Sequence, residues 1–183
     1  MKPNTNGHAY VDLGLPSGTL WATMNIGAKK ETDFGNYYTY GSGSEEYKNG
    51  SPVYSGEENP LILSRDTARE VWGGEWYTPS KKQLEELVEN TEYEWTEVDE
   101  VKGGKFTSKI NGKTMFIPAA GDCNYDKQFN VGEYVDIWSC TPYSEKYAYR
   151  LLCDKWGDDG VYFTFRKYGL SVRAVIDQHK ADN

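Results

Sequence analysis

The chain has 183 residues, 28 acidic against 20 basic, and a net charge of -8, and at roughly 100–200 residues per domain it makes one domain. Leu, Ile, Val and Phe together supply less than a fifth of it, a share that by itself points towards disorder. Fifteen Tyr and six Trp reverse that reading, since each can bury roughly 150–250 Å² while keeping a polar tip bonded. The acidic balance argues against nucleic-acid binding and against an anionic membrane surface, both of which need clustered Lys and Arg. Apolar runs such as Leu61–Leu63 are too short to span a bilayer, and Met1–Asn6 has no apolar export segment. Cys123, Cys140 and Cys153 form neither an even framework nor a CxxC pair, so no metal, redox chemistry or cofactor is expected, and at most one bridge can form and none is required.

In chain order, Ala9–Leu13 and Thr19–Ala22 have strand composition around the Leu15-Pro16-Ser17-Gly18 turn, which predicts an N-terminal hairpin. Gly41–Pro60, rich in Gly, Ser, Glu and Asn, reads as a long surface loop within the domain. A short helix is expected over Asp66–Trp72, stopped by Gly73-Gly74. A clearer one follows Ser80, where Ser80 and Gln83 form a capping box and Leu84, Leu87 and Val88 form an apolar stripe. Strands are then expected at Glu94–Val98, Lys105–Ile110, Thr114–Ile117 after the Asn111-Gly112 turn pair, Ile137–Ser139, Ala148–Cys153, Val161–Phe165 and Leu170–Ile176. Two helices followed by short antiparallel strands is an α+β pattern.

Catalytic signatures are missing. His8 and His179 lie near the termini and read as solvated, and the chain has no GxSxG, HExxH, P-loop or dinucleotide glycine motif. Its many carboxylates read as surface acids, with no sign of a glycosidase pair. Asp122, Asn124 and Asp126 alternate like the start of a calcium loop, but the Gly and Glu that complete one are missing.

Four segments in fixed order carry a family resemblance. They are Tyr10-Val11-Asp12-Leu13-Gly14-Leu15-Pro16-Ser17-Gly18-Thr19-Leu20-Trp21-Ala22 with Asn25-Ile26-Gly27-Ala28; Asp66-Thr67-Ala68 through Trp72-Gly73 to Trp76-Tyr77-Thr78-Pro79-Ser80; Phe116-Ile117-Pro118-Ala119-Ala120-Gly121; and Trp138-Ser139-Cys140-Thr141-Pro142 with Tyr168-Gly169-Leu170-Ser171-Val172-Arg173-Ala174-Val175. Together they resemble the Fibrobacter succinogenes major paralogous domain, over residues 9–176. Residues 1–8 are then a flexible lead-in and 177–183 a tail.

The resemblance implies an α+β, C-type-lectin-like fold of the formylglycine-generating-enzyme branch, with its termini close together. It does not carry over that enzyme's activity, because Cys140 and Cys153 are too far apart in sequence to match its closely spaced active-site pair. Calcium-dependent sugar binding is not carried over either, since the Glu-Pro-Asn, Gln-Pro-Asp and Trp-Asn-Asp tripeptides do not occur.

A narrower resemblance, in the Trp-Ser-x-Thr-Pro to Gly-Leu-Ser-Val-Arg frame, is to variable proteins diversified by retroelements, in which the frame is constant and the residues inside it vary. Inside this frame lie Tyr143, Glu145, Tyr147, Arg150, Asp154, Trp156, Asp158, Asp159, Tyr162, Lys167 and Tyr168, the expected ligand-binding set. Tyr, Trp and Arg dominate binding hot spots. Strand alternation puts Ala148, Arg150 and Leu152 on one face and Tyr149, Leu151 and Cys153 on the other. Tyr149, Leu151, Val161 and Phe163 are expected to pack; Arg150, Trp156, Asp158, Asp159, Tyr162, Lys167 and Tyr168 are expected on an exposed face; Arg166 and Arg173 are expected to be structural.

The expected function is non-enzymatic recognition of a protein or glycan by this face, on a cell surface, in secreted form or on a phage particle, with any export signal outside this chain. The alternatives are a carbohydrate-active or accessory enzyme domain and a structural module of a surface or phage assembly.

Overall fold

The computed structural model of the protein describes residues 2–41 and 66–178. In chain order its elements are β1 (Tyr10–Val11), β2 (Thr19–Ala22), α1 (Thr67–Trp72), α2 (Lys81–Asn90), β3 (Thr91–Val98), β4 (Val101–Ser108), β5 (Thr114–Pro118), β6 (Asp122–Asn124), β7 (Lys127–Phe129), β8 (Tyr134–Pro142), β9 (Tyr147–Asp154), β10 (Asp159–Phe165) and β11 (Val175–Asp177). All but Gly41 of the loop expected at Gly41–Pro60, and His179 with most of the tail, lie outside the described residues.

Among the described residues strand makes up 42% and helix 10%, with eleven strands in four small sheets, so the α+β, C-type-lectin-like expectation is corrected to a fold dominated by β structure. Both helices stand where the sequence places them but are short. α1 is capped by Asp66, whose carboxylate accepts from Arg69 N, and ends at Gly73. α2 forms the full Ser80/Gln83 capping box and stops at Thr91, where β3 begins with no intervening loop. Thr, Tyr, Trp and Val there favour the pleated chain, so most of the packing falls to sheets.

The sheets have the orders β1-β2-β11, β3-β4-β5, β6-β7 and β8-β9-β10. β3 and β4 are joined through Asp99 and Glu100, both at positive φ (48° and 63°), the mark of a type I′ hairpin turn. An Asp-Glu pair rarely adopts that conformation, which hid this turn from the sequence. Asn111 and Gly112 do not close a two-residue turn. They sit in the loop of residues 109–113, where the Ser108 hydroxyl accepts from Ile110 N at 3.1 Å and Asn111 N at 3.2 Å. The β6-β7 hairpin was not expected. The strand expected at Leu170–Ile176 shrinks to β11, and the residues before it are held by single bridges from Tyr38 to Leu170 and from Ile137 to Ser171. Glycine is needed in β4 because a Cβ on Gly103 would lie 2.3 Å from the Ile117 carbonyl.

β2 separates two cores. Leu20 faces one with Tyr38, Trp72, Trp76 and Trp138, while Trp21 faces the other with Leu84, Leu87, Phe106, Ile117 and Leu151. The lead-in docks on α1: Trp76 Nε1 donates to Thr5 O at 2.7 Å, and His8, expected as solvated, stacks on Trp72 with centroids 3.9 Å apart. Among the described residues no helix is long and apolar enough to cross a membrane.

Two substitutions separate local from global contributions. Ser80→Ala should cost about 0.5–2 kcal/mol in denaturant unfolding through the lost cap. Trp138→Ala should cost about 3–5 kcal/mol, since it empties a core site and removes the donor to Tyr38 O.

Candidate functional site

Seven of the expected binding residues lie on the β9-β10 ribbon and its tip, and their placement follows from register. Tyr147 pairs with Phe165, Tyr149 with Phe163, Leu151 with Val161 and Cys153 with Asp159, so these residues share one face. Ala148, Arg150 and Leu152 share the other with Thr164, Tyr162 and Gly160. Each face is covered over only part of its length. α2 packs on the first face towards the tip, where Leu151 and Cys153 are buried and Val161 packs beside them. At the base the described residues cover the same face only in part, with Tyr147, Tyr149 and Phe165 half-buried and Phe163 exposed. The second face is the reverse: Ala148 and Thr164 are buried at the base, and Tyr162 emerges at 40% exposure towards the tip. The packing expected of Tyr149 and Phe163 is therefore corrected: Tyr149 is half-buried and Phe163 is 46% exposed. Alternation assigned the correct face, but α2 is too short to cover all of it.

At the base these side chains form a continuous aromatic platform. Tyr143, 50% exposed, stacks on Phe163 with centroids 4.1 Å apart and planes 5° from parallel, and meets Tyr149 edge-on at 5.4 Å. Tyr147 contacts Phe165 at 4.6 Å, and Phe165 meets Tyr168 at 5.5 Å. Tyr143 is held over the sheet by a tight reversal in which its N–H and that of Ser144 both donate to Tyr147 O at 3.0 Å, leaving Glu145 exposed at the turn. Lys81, from the start of α2, sits 4.8 Å over Tyr149, and Lys167 sits 5.6 Å from the Phe165 ring. Tyr168, expected as exposed, is half-buried against the first core. Tyr149, Phe163, Phe165 and Lys81 join the platform although the sequence did not place them in the site. Alternation could have linked the first three to Tyr147. Nothing in the sequence places Lys81 beside them.

The tip holds the other cluster. Asp154 accepts from Trp156 N at 2.8 Å and Asp158 N at 3.0 Å, so its carboxylate shapes the turn. Trp156 is 68% exposed, with Lys155 Nζ 4.6 Å from its ring and Tyr134 at 6.4 Å. The Tyr162 hydroxyl donates to Asp158, with both carboxylate oxygens at 3.0 Å. Asp159 is half-buried, and burial together with the neighbouring Asp158 charge raises its pKa.

Arg150, expected on the exposed face, is instead tied into an ion pair with buried Asp136. Burial pushes Asp136 up to about 7 against the pull of Arg150, and Asp122 pushes it the same way. Asp122 itself accepts from Asn130 Nδ2 at 2.7 Å. Asp136 Oδ1 and Arg150 Nε have no partner among the described residues. Arg166 and Arg173 are both buried, Arg166 donating to Tyr147 O at 3.2 Å with its guanidinium 4.9 Å over Tyr40.

Burial raises the Cys123 and Cys153 thiols, the opposite of what a thiolate nucleophile needs, and none of the three cysteines is in a disulfide. Among the described residues no group of three or more His, Cys, Asp or Glu is placed to hold a metal ion. No known protein family, curated protein or solved structure matches the chain.

The Asp136 site makes a pH prediction. The unfolded carboxyl loses its proton near ~4, whereas the folded one keeps it to about 7. Between those values the folded state binds the extra proton, so this group's contribution to stability falls as pH rises through the interval and levels off above it. Thermal melts across that range should show the decline in the parent protein and a flatter profile in Asp136→Asn. An equal slope in both would assign it to another group.

Proposed function

We propose that the protein is a non-enzymatic recognition module that binds a protein or glycan ligand through the aromatic platform at the base of the β9-β10 ribbon. The observation that carries this reading is the continuity of the platform: six rings, from Tyr143 to Tyr168, meet one another in an unbroken series, with Tyr143 50% and Phe163 46% exposed at its centre. Side chains of this size left at a surface without a packing role are the usual material of binding hot spots. Tyr is suited to both ligand classes, since it combines a flat apolar surface with a hydroxyl and has few torsions to freeze. Lys81 and Lys167 at the margin add cationic groups for carboxylates or carbonyls of the ligand.

The pattern of burial supports a frame-and-variable reading. The frame residues Trp138, Ser139, Cys140, Leu170, Ser171, Val172, Arg173, Ala174 and Val175 are all buried, while Tyr143, Glu145, Trp156, Asp158 and Tyr162 between them are exposed. A scaffold of this kind tolerates change at the surface positions without loss of the core, as retroelement-driven diversification within a Fibrobacter succinogenes major paralogous domain would require.

Screening the protein on glycan and surface-protein arrays tests the reading. Any ligand found should bind Tyr143→Ala and Phe163→Ala more weakly by about 2 kcal/mol. Both variants should unfold within about 1 kcal/mol of the parent, because each side chain is half in solvent. A ligand indifferent to both substitutions would place the site elsewhere. Turnover of ester or glycoside substrates by the purified chain would make it an enzyme.

A further inference from the structure

We propose that the tip of the β9-β10 ribbon is a second docking surface, separate from the platform, whose occupant is an Arg/Lys-rich polypeptide segment of a partner protein. The tip combines exposed aromatic faces with an excess of carboxylates. Trp156 is the most exposed large hydrophobic side chain described, at 68%, and Tyr162, whose hydroxyl donates to Asp158 in the same turn, is 40% exposed. Neither is needed to fill a core. The faces of such rings attract cations, and Trp does so most strongly. The Trp156 ring already carries one, since Lys155 Nζ lies 4.6 Å from its centroid.

Charge decides the occupant. Asp158 and Glu133 are exposed here, with Asp154 and Asp159 beside them half-buried. The cations near the tip are already engaged: Lys155 pairs with Glu133 at 3.4 Å, Arg150 is held by Asp136, and Lys109, whose charge acts on Asp159, donates to Glu89 O at 3.0 Å. The excess is felt by the neighbouring groups. Burial and then the Asp158 charge raise the pKa of Asp159 against the pull of Lys109, and the hydrogen bond to Asp158, burial and the charges of Asp158, Asp154 and Asp159 raise that of Tyr162. A guest cation would relieve that repulsion. Asp158 accepts one hydrogen bond from Tyr162, and a carboxylate has room for about four, so it can still receive a guanidinium fork. Arginine suits the site better than lysine because its plane can lie on Trp156 while its N–H groups reach Asp158. The platform at the other end of the ribbon carries lysines instead, and the net charge of -8 steers cationic partners towards the protein as a whole. With ligand surfaces of opposite character at its two ends, the ribbon would bridge two partners.

The test is the fluorescence anisotropy of a labelled octa-arginine peptide titrated with the full chain at low and raised salt. Saturable, salt-weakened binding is expected. Trp156→Ala leaves the charge unchanged yet should weaken binding by about tenfold, Trp156→Phe should restore most of it, and Asp158→Asn should weaken it by about fivefold. Glu92→Gln, which removes an exposed carboxylate from β3, and Phe163→Ala on the platform should each stay within about twofold of the parent. Melting curves identify any variant that fails to fold, and Trp156→Leu, which keeps the apolar bulk but not the ring, then takes the place of Trp156→Ala. Absence of binding overturns the proposal. So does equal weakening by Glu92→Gln and Asp158→Asn with Trp156→Ala unaffected, since that describes attraction to a polyanion at large. Loss in Phe163→Ala alone would put the peptide on the platform and remove the tip as a site.

Discussion

The buried guanidinium of Arg173 is the joint on which the two cores depend. Its Nε donates to Asn25 Oδ1 at 2.9 Å, its Nη1 to Ala22 O at 3.1 Å and its Nη2 to Phe116 O at 3.1 Å. One side chain thus ties the end of β2, the loop after it and β5 to the segment leading into β11. Among the described residues no carboxylate bonds it directly. Burial pushes its pKa down to about 9, so it remains charged at neutral pH, and its desolvation is offset by three well-placed acceptors. The sheet that carries both ends of the chain meets the rest of the molecule here, and truncation of Arg173 would leave buried carbonyls without donors.

With that joint fixed, β8 is held in place from both sides. Its Trp138 anchors in the first core and donates to Tyr38 O at 2.7 Å, while Val135 and Ile137 pack in the second. β9 and β10 hang from β8 as a ribbon whose outer edge, β10, pairs with no other strand among the described residues. Because one core supports the base of the ribbon and α2 supports its tip from the opposite side, exposed surface is left at both ends. The two surfaces differ in chemistry. The base is aromatic with lysines at its margin, and the tip is aromatic with carboxylates.

Much of the scaffold was legible in the sequence. The Ser80 capping box, the Leu84/Leu87 stripe and the Gly73 stop follow from local chemistry, while the structural place of Arg173 was expected from the frame of the resemblance. The α+β class did not survive, because counting elements ignores their length, and two helices of six and ten residues cannot form a layer. Arg150 was misplaced for a related reason. Its strand position was correct, but the buried carboxylate of Asp136 that draws it inward lies 14 residues away in sequence and on another strand.

What the sequence determined by itself was local: where helices start and stop, which strand residues share a face, and that Tyr and Trp would have to do the work that Leu, Ile and Val do elsewhere. What only the tertiary structure decided was cover. Whether Phe163 packs or faces solvent depends on how far a ten-residue helix reaches along the sheet, and whether Lys81 meets Tyr149 depends on where that helix begins over it. Burial belongs to neighbours brought together from distant parts of the chain, and periodicity along one strand carries no record of them.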